Sequence, residues 1–142
     1  MPCTPYPTGS LPSYKYVVIL SVYHGKLMLS KHKHRTTWET QGGHIEFGET
    51  PLEAAKRELY EESGAIEFSI KPVFDYRSGN DVSYADGQVF LAEIEKTGPI
   101  PKDSEMEKVE FFESLPNNPT YPDITPVLFG HAKKLGLLTY KE

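Results

Sequence analysis

The chain predicts an α+β fold, and three observations carry that prediction. Several runs are β-branched and aromatic with turn residues between them, the signature of strands. One stretch, Pro51 to Ser63, has agreeing helix signals at both ends. The order is strands, helix, strands, helix, with neither an internal repeat nor a domain linker.

Residues 1–13 hold four prolines and are expected to form an irregular arm, because each proline fixes φ and removes a backbone donor. Tyr14 to Tyr23 then reads as a strand, His24-Gly25 as a tight turn, and Lys26 to Ser30 as its hairpin partner, with Leu27 and Leu29 alternating against Lys26 and Met28. Lys31 to Thr37 reads as a basic loop, and a short segment around Trp38 and Glu39 leads to the pair Gly42-Gly43. For the helix, Thr50 is an apt N-cap, Pro51 suits the first turn, Glu53 completes a capping box and Gly64 is a left-handed terminator. Phe68 to Tyr76 and Gln88 to Ile94 read as strands separated by a turn at Ser78-Gly79-Asn80-Asp81. Lys108 to Phe112 is a further short strand, and Thr125 to Leu135 a final amphipathic helix.

At 142 residues the chain is one domain long, so residues 14–142 are expected to fold as a unit. A net charge of -5 without clustered Lys and Arg argues against a nucleic-acid polymer as partner. The one cysteine, Cys3, has no disulfide partner, and no apolar run suggests a signal peptide or a membrane anchor. A cytoplasmic protein that does not engage membranes is the expectation.

On a wheel at about 100° per residue, Leu52, Ala55 and Leu59 make a narrow apolar stripe, with Glu58 and Glu62 on its flank and Glu61 within reach of Glu58. Three carboxylates near a helix C-terminus repel one another and oppose the macrodipole. A hard divalent cation would compensate. For an arbitrary Glu-rich helix, a solvated face partnered by Lys56 and Arg57 is the ordinary outcome.

The surrounding spacing points elsewhere. From Gly43 to Ala65 the chain runs Gly-x5-Glu-x7-Arg-Glu-Leu-x-Glu-Glu-x-Gly-Ala, which resembles the full Nudix box of the MutT-like hydrolases at every fixed position. The resemblance is looser from Tyr14 to Leu135. It implies a Nudix-type α/β/α sandwich around a mixed β-sheet. It also implies Mg²⁺, with Mn²⁺ as a substitute, held by Glu58, Glu61, Glu62 and a carbonyl near Gly42 or Gly43. Glu49 and Arg57 match the family's pair that fixes the loop onto the helix, a task suited to a bidentate guanidinium fork and not to lysine. Glu62 is one candidate base and Glu105 another, with Glu107 as its neighbouring fallback. The implied reaction is hydrolysis of a phosphoanhydride bond in a nucleoside diphosphate linked to another group, by a cation-assisted water.

The resemblance implies a small nucleotide as substrate, and the pattern looks most like the nucleoside triphosphate pyrophosphatases. Nucleotide sugars, ADP-ribose and dinucleoside polyphosphates are alternatives for the same machinery, and a non-catalytic nucleotide-binding module is another. The non-catalytic reading is opposed by the intact box carboxylates. A prenyl diphosphate isomerase needs a core cysteine, which Cys3 does not supply. Arg35 is the best candidate in the basic loop for a substrate phosphate, whereas His32 and His34 lack the third ligand of a zinc site. Tyr84 and Tyr121 could stack on a base, although most tyrosines serve packing. Two departures from relatives stand out. Gln41 replaces a proline before the glycine pair and reads as a surface glutamine. The pyrophosphatases the chain looks like include those that remove oxidised purine nucleotides, but Ile124-Thr125-Pro126 lacks the asparagine with which such relatives read the base, which counts against that specificity.

Overall fold

The computed structural model describes residues 2–139. Its frame is one seven-stranded sheet: β1 (Cys3–Pro7), β2 (Tyr16–Tyr23), β3 (Lys26–His32), β4 (Gln41–His44), β5 (Ala65–Gly79), β6 (Tyr84–Thr97) and β7 (Met106–Phe112). The helices are α1 (Pro51–Ser63) and α2 (Thr125–Lys134). Strands follow the order β1-β5-β6-β2-β3-β7, with β4 paired to β2 off that path. Only β2 and β6 run parallel among these pairs, so the sheet is mixed.

Helices cover both faces. On the α1 side Val17, Ile19, Met28 and Phe90 pack with Ala54, Ala55 and Leu59. On the α2 side Leu20, Leu27, Leu29, Phe74 and Val89 pack with Leu128, Phe129 and Ala132. Met28, which the alternation grouped with the polar Lys26, is therefore core, because β3 lies between two apolar layers. The hairpin forms where the sequence placed it, with His24 and Gly25 both at positive φ (49° and 82°), the backbone of a tight primed turn.

The arm departs from expectation. Cys3–Pro7 is a strand, antiparallel to β5 from Cys3↔Ser78 to Pro7↔Phe74. Its prolines are tolerated because β1 is an edge strand. Beyond it, the buried Asp75 carboxylate accepts from Leu11 N at 3.1 Å and Tyr14 Oη at 2.8 Å, tying residues 11–14 to β5. β5 and β6 are also longer than their hydrophobic runs, since backbone pairing continues from Ala65↔Thr97 to Gly79↔Tyr84 through polar sequence. No helix among the described residues is long and apolar enough to cross a membrane.

Candidate active site

The site is built on α1. Thr50 Oγ1 accepts from Glu53 N at 3.1 Å while Glu53 Oε1 accepts from Thr50 N at 2.9 Å, a complete capping box. At the other end Gly64 adopts φ 75° and donates to Tyr60 O. The docked face differs from the predicted stripe. Ala54, Ala55, Leu59 and Ser63 are buried, whereas Leu52 is exposed, so the face is rotated toward Glu58 and Glu62. On the wheel these two acids then lie inside the docked face, turned toward the glycine pair.

Each carboxylate has a distinct neighbour. Glu62 Oε1 accepts from Gly42 N at 2.7 Å. Glu58 lies against Gly43, where a Cβ would come within 2.9 Å of the carboxylate, so only glycine admits this approach. Gly42 is more tightly constrained, since its φ is positive and a Cβ there would run into the backbone carbonyl of Val17. Arg57 organises the rest. Its Nε donates to Glu49 Oε2 at 2.7 Å and its Nη2 to Glu49 Oε1 at 2.9 Å, a bidentate fork. Nη2 also reaches His44 O at 3.2 Å, and Nη1 reaches Glu58 Oε1 at 2.7 Å and Glu61 Oε2 at 3.5 Å. Loop, strand β4 and helix are thus locked by one guanidinium. Among the described residues no three His, Cys, Asp or Glu groups stand together as a ready ligand set; Glu58 is turned to Arg57 and Glu62 to the Gly42 N–H.

Electrostatics separate these acids. Burial, aided by Glu58, Glu39 and Glu105 and opposed by the Gly42 N–H, pushes the Glu62 carboxyl up to about 9. Burial also raises Glu58, against the pull of Arg57. Glu49 goes the other way, to about 2, held by the Arg57 hydrogen bonds.

A cavity of about 810 Å³ opens beside Gly42, Gly43 and Glu62. Arg35, Glu105, Tyr84 and Tyr121 line it as well, so the sheet brings together residues far apart in the chain. Arg35 Nη1 bonds Glu39 Oε2 at 3.1 Å, and its charged form is favoured by the Tyr121 and Glu39 side chains. Glu105 sits at the rim with an 81% exposed side chain, 4.0 Å from His32 Nε2. Glu107 is turned to Lys31 at 2.9 Å and does not line the cavity. Glu58 lies against Gly43, and neither it nor Glu61, Arg57 or Glu49 lines the cavity. Sequence reasoning missed Glu39, a buried acid of the wall, because a single Glu after Trp38 has no period or spacing to mark it. It also misplaced Gln41, which is fully buried and hydrogen-bonded rather than on the surface.

The residues fit a divalent cation. A carboxylate made reluctant to ionise by burial and by neighbouring acids is stabilised in its charged form by added positive charge. Carboxylate and carbonyl oxygens are the donors that hard cations prefer.

This arrangement of loop, capped helix and glycine pair under a mixed sheet defines a class, and comparison agrees. Residues 14–123 match the model of the NUDIX domain, and the chain belongs to that family, whose hydrolases generally use divalent metal ions. Among individual proteins it is similar to YtkD of Bacillus subtilis (strain 168), provisionally named an 8-oxo-dGTP diphosphatase, with 32% identity over 75% of this chain and 66% of that protein. It is also similar to the dihydroneopterin triphosphate diphosphatase of Haemophilus influenzae, with 33% identity over 49% of this chain and 54% of that enzyme. The aligned stretches are thus less than two thirds of either relative. The fold is shared with the Bacillus subtilis pyrophosphohydrolase BsRppH, at a TM-score of 0.79 and 24% identity over 96% of this chain and 93% of that one.

Proposed function

We propose that the chain is a Mg²⁺-dependent nucleoside triphosphate pyrophosphatase, with Mn²⁺ able to substitute, acting in the cytoplasm through the domain 14–142. The observation that carries this reading is Glu62, fixed by Gly42 N–H at 2.7 Å, at the wall of a cavity that also holds Arg35 and Glu105. Glu58, Glu61 and Glu62, with the Gly42 carbonyl, would hold the cation. The chemistry a bound divalent ion supplies is charge neutralisation on the phosphoanhydride oxygens and acidification of water.

The chain's own groups do the rest. Arg35, preorganised by Glu39 and Tyr121, offers its fork to substrate phosphate oxygens. Glu62, held at the cavity wall by the Gly42 N–H, would be ionised once a cation stands beside it and would then accept a proton from the attacking water. The water oxygen forms a bond to phosphorus, the anhydride P–O bond breaks, and pyrophosphate leaves a nucleoside monophosphate. Glu105, exposed at the rim of the cavity, is the second candidate for the proton. Arg57 and Glu49 position the loop and do not touch the cavity. Support for a triphosphate comes from both curated relatives, whose names specify triphosphate substrates.

The test is a Mg²⁺-supplemented panel of nucleoside triphosphates, nucleotide sugars, ADP-ribose and dinucleoside polyphosphates, with products identified by mass. Pyrophosphate release from a triphosphate is expected. Cleavage confined to a nucleotide sugar or ADP-ribose would keep the machinery and change the substrate class, and no cleavage of any would leave a nucleotide-binding module.

A further inference from the structure

Strand β2 changes partner along one edge. It pairs with β4 over Tyr16–Ile19 and with β3 at Val22 and Tyr23, so the two strands diverge where Gln41 stands. The Gln41 side chain, fully buried, fills that divergence. Its Nε2 donates to Met28 O at 3.2 Å and to Ser30 Oγ at 2.9 Å, and its Oε1 accepts from Ser21 Oγ at 2.6 Å. The amide has one workable orientation, since turning it over would set two acceptor oxygens, its own and that of Met28, against each other.

Direction passes along the chain of bonds. Ser30 Oγ, having accepted from Gln41, donates to Glu62 O at 2.8 Å. That carbonyl lies in the last turn of α1, where helical carbonyls lack an intrahelical partner. The residue after Gln41 supplies the N–H that binds the Glu62 carboxylate. Glu62 is therefore gripped at its backbone through Ser30 and at its side chain through Gly42, and Gln41 joins both grips.

We propose that Gln41 is a positioning residue that sets Glu62 for catalysis through a Ser21–Gln41–Ser30 relay to the end of α1. A buried network that merely stabilises the sheet would lower the thermal midpoint and leave the site's function intact. A positioning network changes what Glu62 does.

The experiment uses the full chain with Gln41→Met, which keeps length and removes the three bonds Gln41 makes, and Ser30→Ala, which deletes the hydroxyl that reaches Glu62 O and decides the matter should Gln41→Met fail to fold. Expected is a kcat lower by about 10- to 100-fold with KM within about twofold of wild type. Calorimetric titration with Mn²⁺ alone is expected to show about 10-fold weaker binding. In a Glu62→Gln background, Gln41→Met is expected to cost nothing further in kcat, because both changes disable the same group. Wild-type kcat and Mn²⁺ affinity in a folded Gln41→Met protein, or in Ser30→Ala, would overturn the relay, as would a full multiplicative loss on top of Glu62→Gln. The proposal rests on the role given to Glu62 above. A fully active Glu62→Gln protein removes that role and the relay with it, whereas an inactive one beside fully active Gln41→Met removes the relay alone.

Discussion

Glu61 and Glu62 are adjacent in sequence and unlike in surroundings. Glu61 is exposed and near Arg57, while Glu62 is turned into the docked face and raised to about 9 from 4.5 by burial first. A carboxylate raised in the folded state binds its proton more tightly there than in the unfolded chain, so its contribution to stability is complete below 4.5 and is lost as pH rises toward 9. In EDTA the wild-type thermal midpoint is expected to fall across that window. Glu62→Gln should flatten the decline, and an equal slope in both proteins would assign it to other groups. Glycine at 43 acts on the neighbouring acid. Gly43→Ala puts a methyl 2.9 Å from the Glu58 carboxylate, the movable end of a side chain, so turnover should drop while the midpoint changes little. Differential scanning fluorimetry beside a kinetic assay separates the two. The Arg57 fork predicts that Arg57→Lys, which keeps charge and loses the bidentate grip on Glu49, lowers both activity and the midpoint.

The helix was legible to the residue, because its signals are local. Thr50, Pro51, Glu53 and Gly64 satisfy backbone groups within a few positions of themselves. Thr50→Ala should cost about 1 kcal/mol in denaturant unfolding. Gly64→Ala should cost about 1–3 kcal/mol, since φ 75° disfavours a side chain and the new methyl would meet Gly98 O at 2.4 Å. A smaller loss would mean that the 98–99 loop yields. Strand limits were less legible, for they depend on partners. Nothing local in Cys3–Pro7 marks a strand, and proline argues against one; pairing with β5 makes it so. The docked face of α1 was also misjudged, because two glutamates that composition assigns to solvent are covered by β4.

For the molecule as a whole, β1 closes one edge of the sheet against β5. Deleting residues 2–9 should expose the β5 edge, lower the midpoint and promote association, observable by scanning fluorimetry and size-exclusion chromatography. An unchanged midpoint and elution volume would show that Leu11 and Tyr14, held by Asp75, suffice.

By itself the sequence determined the helix, its caps, the acids spaced along it, the fork partners Glu49 and Arg57, and the strand–helix order, because each depends on contacts near in the chain or on a dense motif. Tertiary structure alone decided which acid meets the cavity, that Glu39 joins its wall, and that Gln41 is core. The physical reason is that burial belongs to what packs against a residue. Strands β2, β3, β4 and β6 bring that packing from distant parts of the chain, so no local pattern records it.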